Sequence, residues 1–156
     1  YAAGVKVLLH HYERQLPEVK SIDYLEGIRV QPLLRARGMD YALYVDRQGY
    51  VRESDRSNFM IVRGGRLITP RDNILRGITR LHLLKLAAAL GIPTEERSVS
   101  TQALLTADEA IICSSTKGAM PITSVDGQPV ADGKPGTITG QLMAAWPAYV
   151  EKVNGV

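Results

Sequence analysis

Cysteine is almost missing from this 156-residue chain. Cys113 is the one thiol, so no internal disulfide is available and a reducing, cytoplasmic setting is expected. No apolar run approaches the roughly 18 residues needed to cross a bilayer, which excludes a transmembrane helix, and no basic-then-apolar signal segment precedes the first element. Blocks of like charge are also lacking. The 19 Lys and Arg and 16 Asp and Glu leave a formal charge of +3, but they are scattered, so nucleic acid is not the expected partner and an anionic small molecule suits the mild basicity better. There is no glycine-rich loop of the Walker type, no G-x-S-x-G elbow and no C-x-x-C pair, and His10, His11 and His82 lack metal-ligand company. No metal site is expected.

What is present describes one mixed domain. A hydrophobic fraction of 45% and a charged fraction of 22% are near globular averages, enough for a core without staples. Repeats, low-complexity tracts and linkers are absent, so a single α and β domain is the economical expectation. The chain opens on Tyr1 rather than Met, with a strand at Val5 to Leu9, which suggests a piece of a longer polypeptide. Leu16 to Ser21 reads as extended, and helical spacing from Ile22 to about Arg37 predicts one helix kinked at Pro32. Lys20 then stands just before a helix. Hairpins are predicted across Asp46-Arg47-Gln48-Gly49 and across Gly64-Gly65. Ile78 to Leu90 is the clearest helix, entered at Gly77 and closed by Gly91. Ser100 is placed to cap a short helix through Leu105, Glu109 to Cys113 reads as a buried strand, and Pro121 to Val125 turns at Asp126-Gly127. A last helix is predicted from Thr139 to Val150, broken near Pro147.

Two stretches suit a phosphorylated ligand. Leu75-Arg76-Gly77-Ile78-Thr79 leads into a helix N-terminus, where free N–H groups, the helix dipole and the Thr79 hydroxyl favour an anion. Ser114-Ser115-Thr116 is a hydroxyl run directly after a buried strand, where folds of this class commonly place ligand contacts. Taken alone, each has an ordinary alternative, a capping sequence and a polar turn.

Several motifs in one order are more specific. Lys20-Ser21-Ile22-Asp23-Tyr24-Leu25, Gly49-Tyr50-Val51-Arg52-Glu53 with Ser57-Asn58-Phe59, Gly77-Ile78-Thr79-Arg80, and Ala107-Asp108-Glu109 leading to Ser114-Ser115-Thr116 and Pro121 resemble the class IV aminotransferases, enzymes that use pyridoxal 5'-phosphate (PLP). Order and spacing match over nearly the whole chain. The family includes branched-chain and D-amino-acid aminotransferases and aminodeoxychorismate lyase. The resemblance is to their larger C-terminal domain only, a strand-rich pseudo-barrel ringed by helices that works in a homodimer, and it implies an N-terminal domain outside residues 1–156.

The resemblance implies the following roles. Lys20 holds PLP as a Schiff base and moves the proton at the substrate α-carbon, because a desolvated amine is a nucleophile and, once its pKa falls, a base. Glu53 partners the pyridine nitrogen and keeps the ring protonated. The strand alternation through Tyr50 and Val51 does not by itself decide which face Glu53 takes. Ile78, Thr79, Ser114 and Ser115 hold the phosphate, Tyr24 hydrogen-bonds the cofactor's phenolic oxygen, and Thr116 and Lys117 border the substrate carboxylate. A phosphate-binding arginine comes from the N-terminal domain in this family, so the present chain alone is expected to hold PLP weakly. Three departures leave the substrate open: the Lys-to-Tyr interval is one residue shorter than in the branched-chain pattern and closer to the D-amino-acid type, Asp23 stands where Asn is usual, and Lys117-Gly118 replace a small residue and Glu. The expected reaction is amino transfer between a branched-chain or D-amino acid and a 2-oxo acid. The alternatives are aminodeoxychorismate lysis on the same fold and PLP binding without activity.

Overall fold

The structure is a computed structural model that describes residues 3–155. Tyr1 lies outside the described residues. Ten strands form one mixed sheet: β1 (Val5–His11), β2 (Tyr41–Val45), β3 (Tyr50–Val51), β4 (Asn58–Arg63), β5 (Arg66–Thr69), β6 (Thr94–Glu96), β7 (Val99–Ser100), β8 (Glu109–Ser114), β9 (Gly118–Val125) and β10 (Gln128–Pro129). Their spatial order is β6-β5-β4-β8-β9-β1-β2-β3-β7, with β10 beside β9. β1 runs parallel to both its neighbours and β5 to β6, while the other pairs are antiparallel.

Both faces of the central strands are covered, which is why they read as apolar runs. Alternate residues go to different cores. Phe59 and Ile61 of β4, with Ala110 and Ile112 of β8, join Val7, Leu43, Val51, Ile68, Val99 and Ile122 in one cluster fed by strands from most of the sheet, so the sheet curls around it. Met60, Val62, Ile111 and Cys113 face the other way, against α3 (Ile78–Ala89) and α5 (Thr137–Asn154). A smaller cluster joins Leu8, Ala42 and Tyr44 to Val30 and Leu34 of the first helices.

Apart from shifts of two or three residues at element ends, the elements depart from expectation at two prolines. The single helix expected from Ile22 is two, α1 (Leu25–Arg29) and α2 (Gln31–Arg37), and Pro32 sits in the first turn of α2 rather than kinking a longer helix. In a first turn the proline's missing N–H has no intrahelical acceptor to lose. α5 runs unbroken to Asn154 through Pro147. Pro147 is exposed, so water can satisfy the carbonyl one turn back that the proline leaves without a donor. The helix α4 (Thr101–Leu105) starts as expected, with Ser100 Oγ accepting from the Ala103 N–H at 3.1 Å.

α1 is fastened to the sheet through Glu26. Glu26 accepts from Arg29 at 2.7 and 2.8 Å and is paired with His10 Nε2 of β1. Arg29 is the main reason, opposed by burial and helped by His10, that the Glu26 carboxyl falls from 4.5 to about 2. A carboxyl depressed on folding stabilises the fold above its unfolded value and loses that contribution as pH falls through the folded one. Glu26→Gln is therefore expected to lower the Tm by roughly 2–4 °C at pH 7. In melts repeated at successively lower pH, the gap from wild type should close between about 4.5 and about 2. No helix among the described residues is long and apolar enough to cross a membrane.

Candidate active site

Sheet register assembles one wall of a cleft. The isolated bridge between Glu53 and Asn58 and the β4–β8 pairing of Asn58 with Cys113 put these three residues side by side across the sheet. Ser114 and Ser115 follow directly where β8 ends. The segment after β1 brings Arg14, Lys20 and Tyr24 to the same cleft, and the N-cap and first turn of α3 add Gly77, Ile78 and Thr79. The cleft encloses about 380 Å³. Among its lining groups are seven predicted site residues, Lys20, Tyr24, Glu53, Ile78, Thr79, Ser114 and Ser115, drawn from four separate stretches of chain.

Glu53 is 4% exposed and both its oxygens are engaged, Oε1 by Arg14 Nη1 at 2.8 Å and Oε2 by the Leu75 N–H at 3.1 Å and Asn58 Nδ2 at 3.3 Å. Burial pushes its carboxyl above the usual carboxylate range, and Arg14, the Leu75 N–H and the nearby Lys20 charge pull it back. The face that alternation left undecided is thus the buried one. Lys20 lies exposed in an irregular stretch four residues before the N-cap of α1, further from the helix than its sequence suggests. The Tyr24 ring, half-buried, lies under the Arg56 guanidinium at 5.6 Å from its centroid.

At the other end, α3 starts at Gly77 in extended conformation with no side-chain cap. The N–H groups of its first turn have no intrahelical partners. The Thr79 and Ser115 hydroxyls stand 3.4 Å apart beside them. Gly77 is required there by contact: a Cβ would lie 2.2 Å from Asn58 Oδ1, while Asn58 Nδ2 donates to the Leu75 carbonyl at 2.7 Å. Asn58 thereby ties the Glu53 end of the cleft to the α3 end. Gly77→Ala is expected to cost about 1–3 kcal/mol by overpacking. Chemical denaturation checks this, and Leu90→Ala, at the exposed far end of α3, should change little.

Thr116 and Lys117 do not line this cleft. Thr116 is exposed, with its hydroxyl 3.3 Å from Ser114 Oγ. The Lys117 side chain folds inward, donating to Ser57 Oγ at 3.1 Å and lying 4.8 Å above the Tyr41 ring, and burial lowers its pKa. Ser57 itself lines the cleft, so Lys117 reaches the rim through it. Cys113 is in the lining too, but burial pushes its thiol up to about 12, and it serves as a neutral packing group. Sequence reasoning missed Arg14 and Asn58 as partners of Glu53. Arg14 stands 39 residues away from it and shares no motif, whereas Asn58 was within reach, five residues on and across a tight connection. Among the described residues no group of three or more His, Cys, Asp or Glu is arranged to hold a metal.

Residues 1–125 match the family model of amino-transferase class IV, and the chain belongs to that family. It is 33% identical to the branched-chain-amino-acid aminotransferase of Salmonella typhimurium over 151 residues, covering 92% of this chain and 49% of that protein. It is 32% identical to the D-alanine aminotransferase of Bacillus licheniformis over 130 residues, covering 82% of this chain and 46% of that one. Among solved structures, the branched-chain amino acid aminotransferase from Thermobaculum terrenum in its PLP form superposes with a TM-score of 0.86 at 32% identity, covering 97% of this chain and 52% of that one. The Escherichia coli branched-chain enzyme gives 0.85 at 29%, covering 94% and 52%. The chain spans about half the length of the relatives it matches.

Proposed function

We propose that this chain is the PLP-carrying C-terminal domain of an aminotransferase that moves an amino group between an amino acid and a 2-oxo acid, working as a homodimer. The observation that supports it most directly is that one cleft of about 380 Å³ gathers a lysine, a buried carboxylate and an uncapped helix N-terminus with two hydroxyls.

The donor set fits PLP at both ends. The α3 N-terminus with Thr79 and Ser115 offers the dipole, backbone N–H groups and hydroxyls that an anionic phosphate needs. Glu53, held by three donors, offers a carboxylate for a protonated ring nitrogen. When bound, PLP supplies an aldehyde that captures the amino group and a ring that draws electrons from the substrate α-carbon. Glu53 would favour a protonated ring nitrogen, and the Tyr24 hydroxyl, in the same lining, would be the donor for the phenolic oxygen. The Lys20 amine would hold the cofactor's aldehyde and, once released, would be the base that moves the proton of the substrate α-carbon. Thr116, exposed beyond the cleft's edge, would border the substrate carboxylate, and Lys117, turned inward, would reach it only by way of Ser57 at the rim.

The donor is a branched-chain or a D-amino acid, the two chemistries for which the similar enzymes are named. The test is to mix the full-length PLP-loaded protein with single L- and D-amino acids and to follow 2-oxo acid release with and without an amino acceptor. Oxo-acid formation that stops after one turnover without acceptor supports the reading. Sustained pyruvate release from aminodeoxychorismate with no acceptor would replace it with a lyase. A bound cofactor that reacts with no amino acid would leave a binding domain.

A further inference from the structure

The Arg14 and Glu53 pair forms the partition between the main cleft and a second cavity of about 200 Å³ behind it. The two side chains meet at 2.8 Å and are largely enclosed, with side-chain exposures of 14% for Arg14 and 5% for Glu53. The same guanidinium reaches the other way: Nη2 donates to the Val19 carbonyl at 3.3 Å and lies 3.5 Å from Ser21 Oγ, the two residues that flank Lys20. One planar group thus touches the carboxylate and the stretch that presents the lysine.

We propose that Arg14 is a positioning residue whose guanidinium keeps Glu53 ionised at the cleft wall and clamps the segment bearing Lys20 to it. Its bearing on catalysis rests on the role given to Glu53 above. Every partner of Glu53 is a donor, namely Arg14, Asn58 and the Leu75 N–H, and a carboxylate accepts from all three, whereas a neutral acid would carry a proton of its own among them. Other charges do not substitute for Arg14: Arg76, in the lining of the main cleft, is exposed to water, and Asp55 and Glu13, in the two linings, are acidic. Arg52, across the second cavity, is already neutralised by Asp46 Oδ2 at 2.5 Å, Arg56 is held by Asp55 at 2.8 Å, and the neighbouring Tyr12 and Tyr44 bring no positive charge. Lys20 acts on Glu53 through space alone.

The consequence concerns where a shared proton rests. Between a ring nitrogen and a carboxyl, the proton stays on nitrogen only while the carboxyl is the weaker base. Burial makes this carboxyl more basic and Arg14 opposes that. Removing the guanidinium leaves only the Leu75 N–H and Asn58, both on Oε2, and the more distant Lys20 charge to oppose burial, and it frees residues 19–21 from their anchor.

The test uses the full-length, cofactor-free protein labelled with ¹³C at glutamate carboxyls, with the Glu53 signal assigned by its loss in Glu53→Gln. Arg14→Ala is expected to raise the Glu53 midpoint by about one unit or more, a tenfold or greater gain in proton affinity. Arg14→Lys, which keeps the charge but not the fork, should hold the midpoint near wild type while amide exchange at residues 19–21 quickens. If Arg14→Ala does not fold, Arg14→Gln makes the same comparison. An unchanged midpoint in a folded neutral variant, or unchanged exchange at 19–21 in all variants, overturns the proposal. These readouts need no cofactor, so they stand apart from the functional reading, which would instead fail if Glu53→Gln left amino transfer by the loaded enzyme intact.

Discussion

If the proposed function holds, Lys20→Ala is expected to slow amino transfer by the full-length protein roughly 10³-fold or more, because in that reading one amine both binds the cofactor and carries the substrate proton. The same substitution should leave folding almost untouched. Lys20 is exposed and sits in an irregular stretch, the setting in which surface substitutions stay within about 0.5 kcal/mol. That separation makes the experiment decisive. A variant that melts with wild type, retains PLP, lacks the visible absorbance of the lysine-bound cofactor and does not turn over places the lysine in the chemistry. A variant that turns over normally removes it. Added small amines should restore part of the proton-transfer rate in the first case, since they replace the missing base without its positioning.

Glu109→Ala is expected to act in the opposite way, costing about 2–4 kcal/mol of stability with little change in chemistry measured below its melting point. Glu109 opens β8, yet its carboxylate caps a helix. Oε1 accepts from the Ile138 N–H at 2.9 Å, and Oε2 from the Thr139 N–H at 2.7 Å and the Thr139 hydroxyl at 2.6 Å. Thr139 is fully buried, so truncation strands two donors out of reach of water and removes a negative charge from the N-terminus of α5. Gly136 is the N-cap, and a Cβ there would lie 2.1 Å from Glu109 Cδ, so the chain leaves no side chain between carboxylate and helix. Glu109→Gln, which keeps one acceptor, should lose less. Urea denaturation of the three proteins orders them, and a loss under 0.5 kcal/mol for alanine would show that α5 is held by packing alone.

Local signals explain what could be read from the chain. The Gly64-Gly65 turn has φ of +56° and +75°, as the hairpin reading requires, and Ser100 caps the helix its spacing announced. Motif order led to Lys20, Tyr24, Glu53, Ile78, Thr79, Ser114 and Ser115, and the structure gathers all seven around one cleft. Non-local pairings stayed hidden. β3 and β7 are two residues each, too short to show a period, and exist because Tyr50 and Val51 pair with Ser100 and Val99 nearly fifty residues on. Glu109 reads as a strand end because its helix lies about thirty residues away. Arg14 looks like any scattered basic residue until the fold brings Glu53 beside it. Lys117 illustrates the converse: its place in the motif directs attention to substrate, while its side chain is drawn back under Ser57 and Tyr41.

The walls of the cleft come from residues as far apart as Arg14 and Ser115, contributed by the segment after β1, the stretch from Glu53 into β4, the end of β8 and the start of α3. A partly folded chain that has formed only its hairpins owns no complete set of donors. Ligand affinity and folding are then two readings of one equilibrium, and a ligand that binds only the native chain stabilises it by about 2.7 kcal/mol at a hundred times its Kd. PLP becomes a thermometer for the whole sheet: the concentration dependence of the Tm reports how well the cleft is built, even for variants altered far from it.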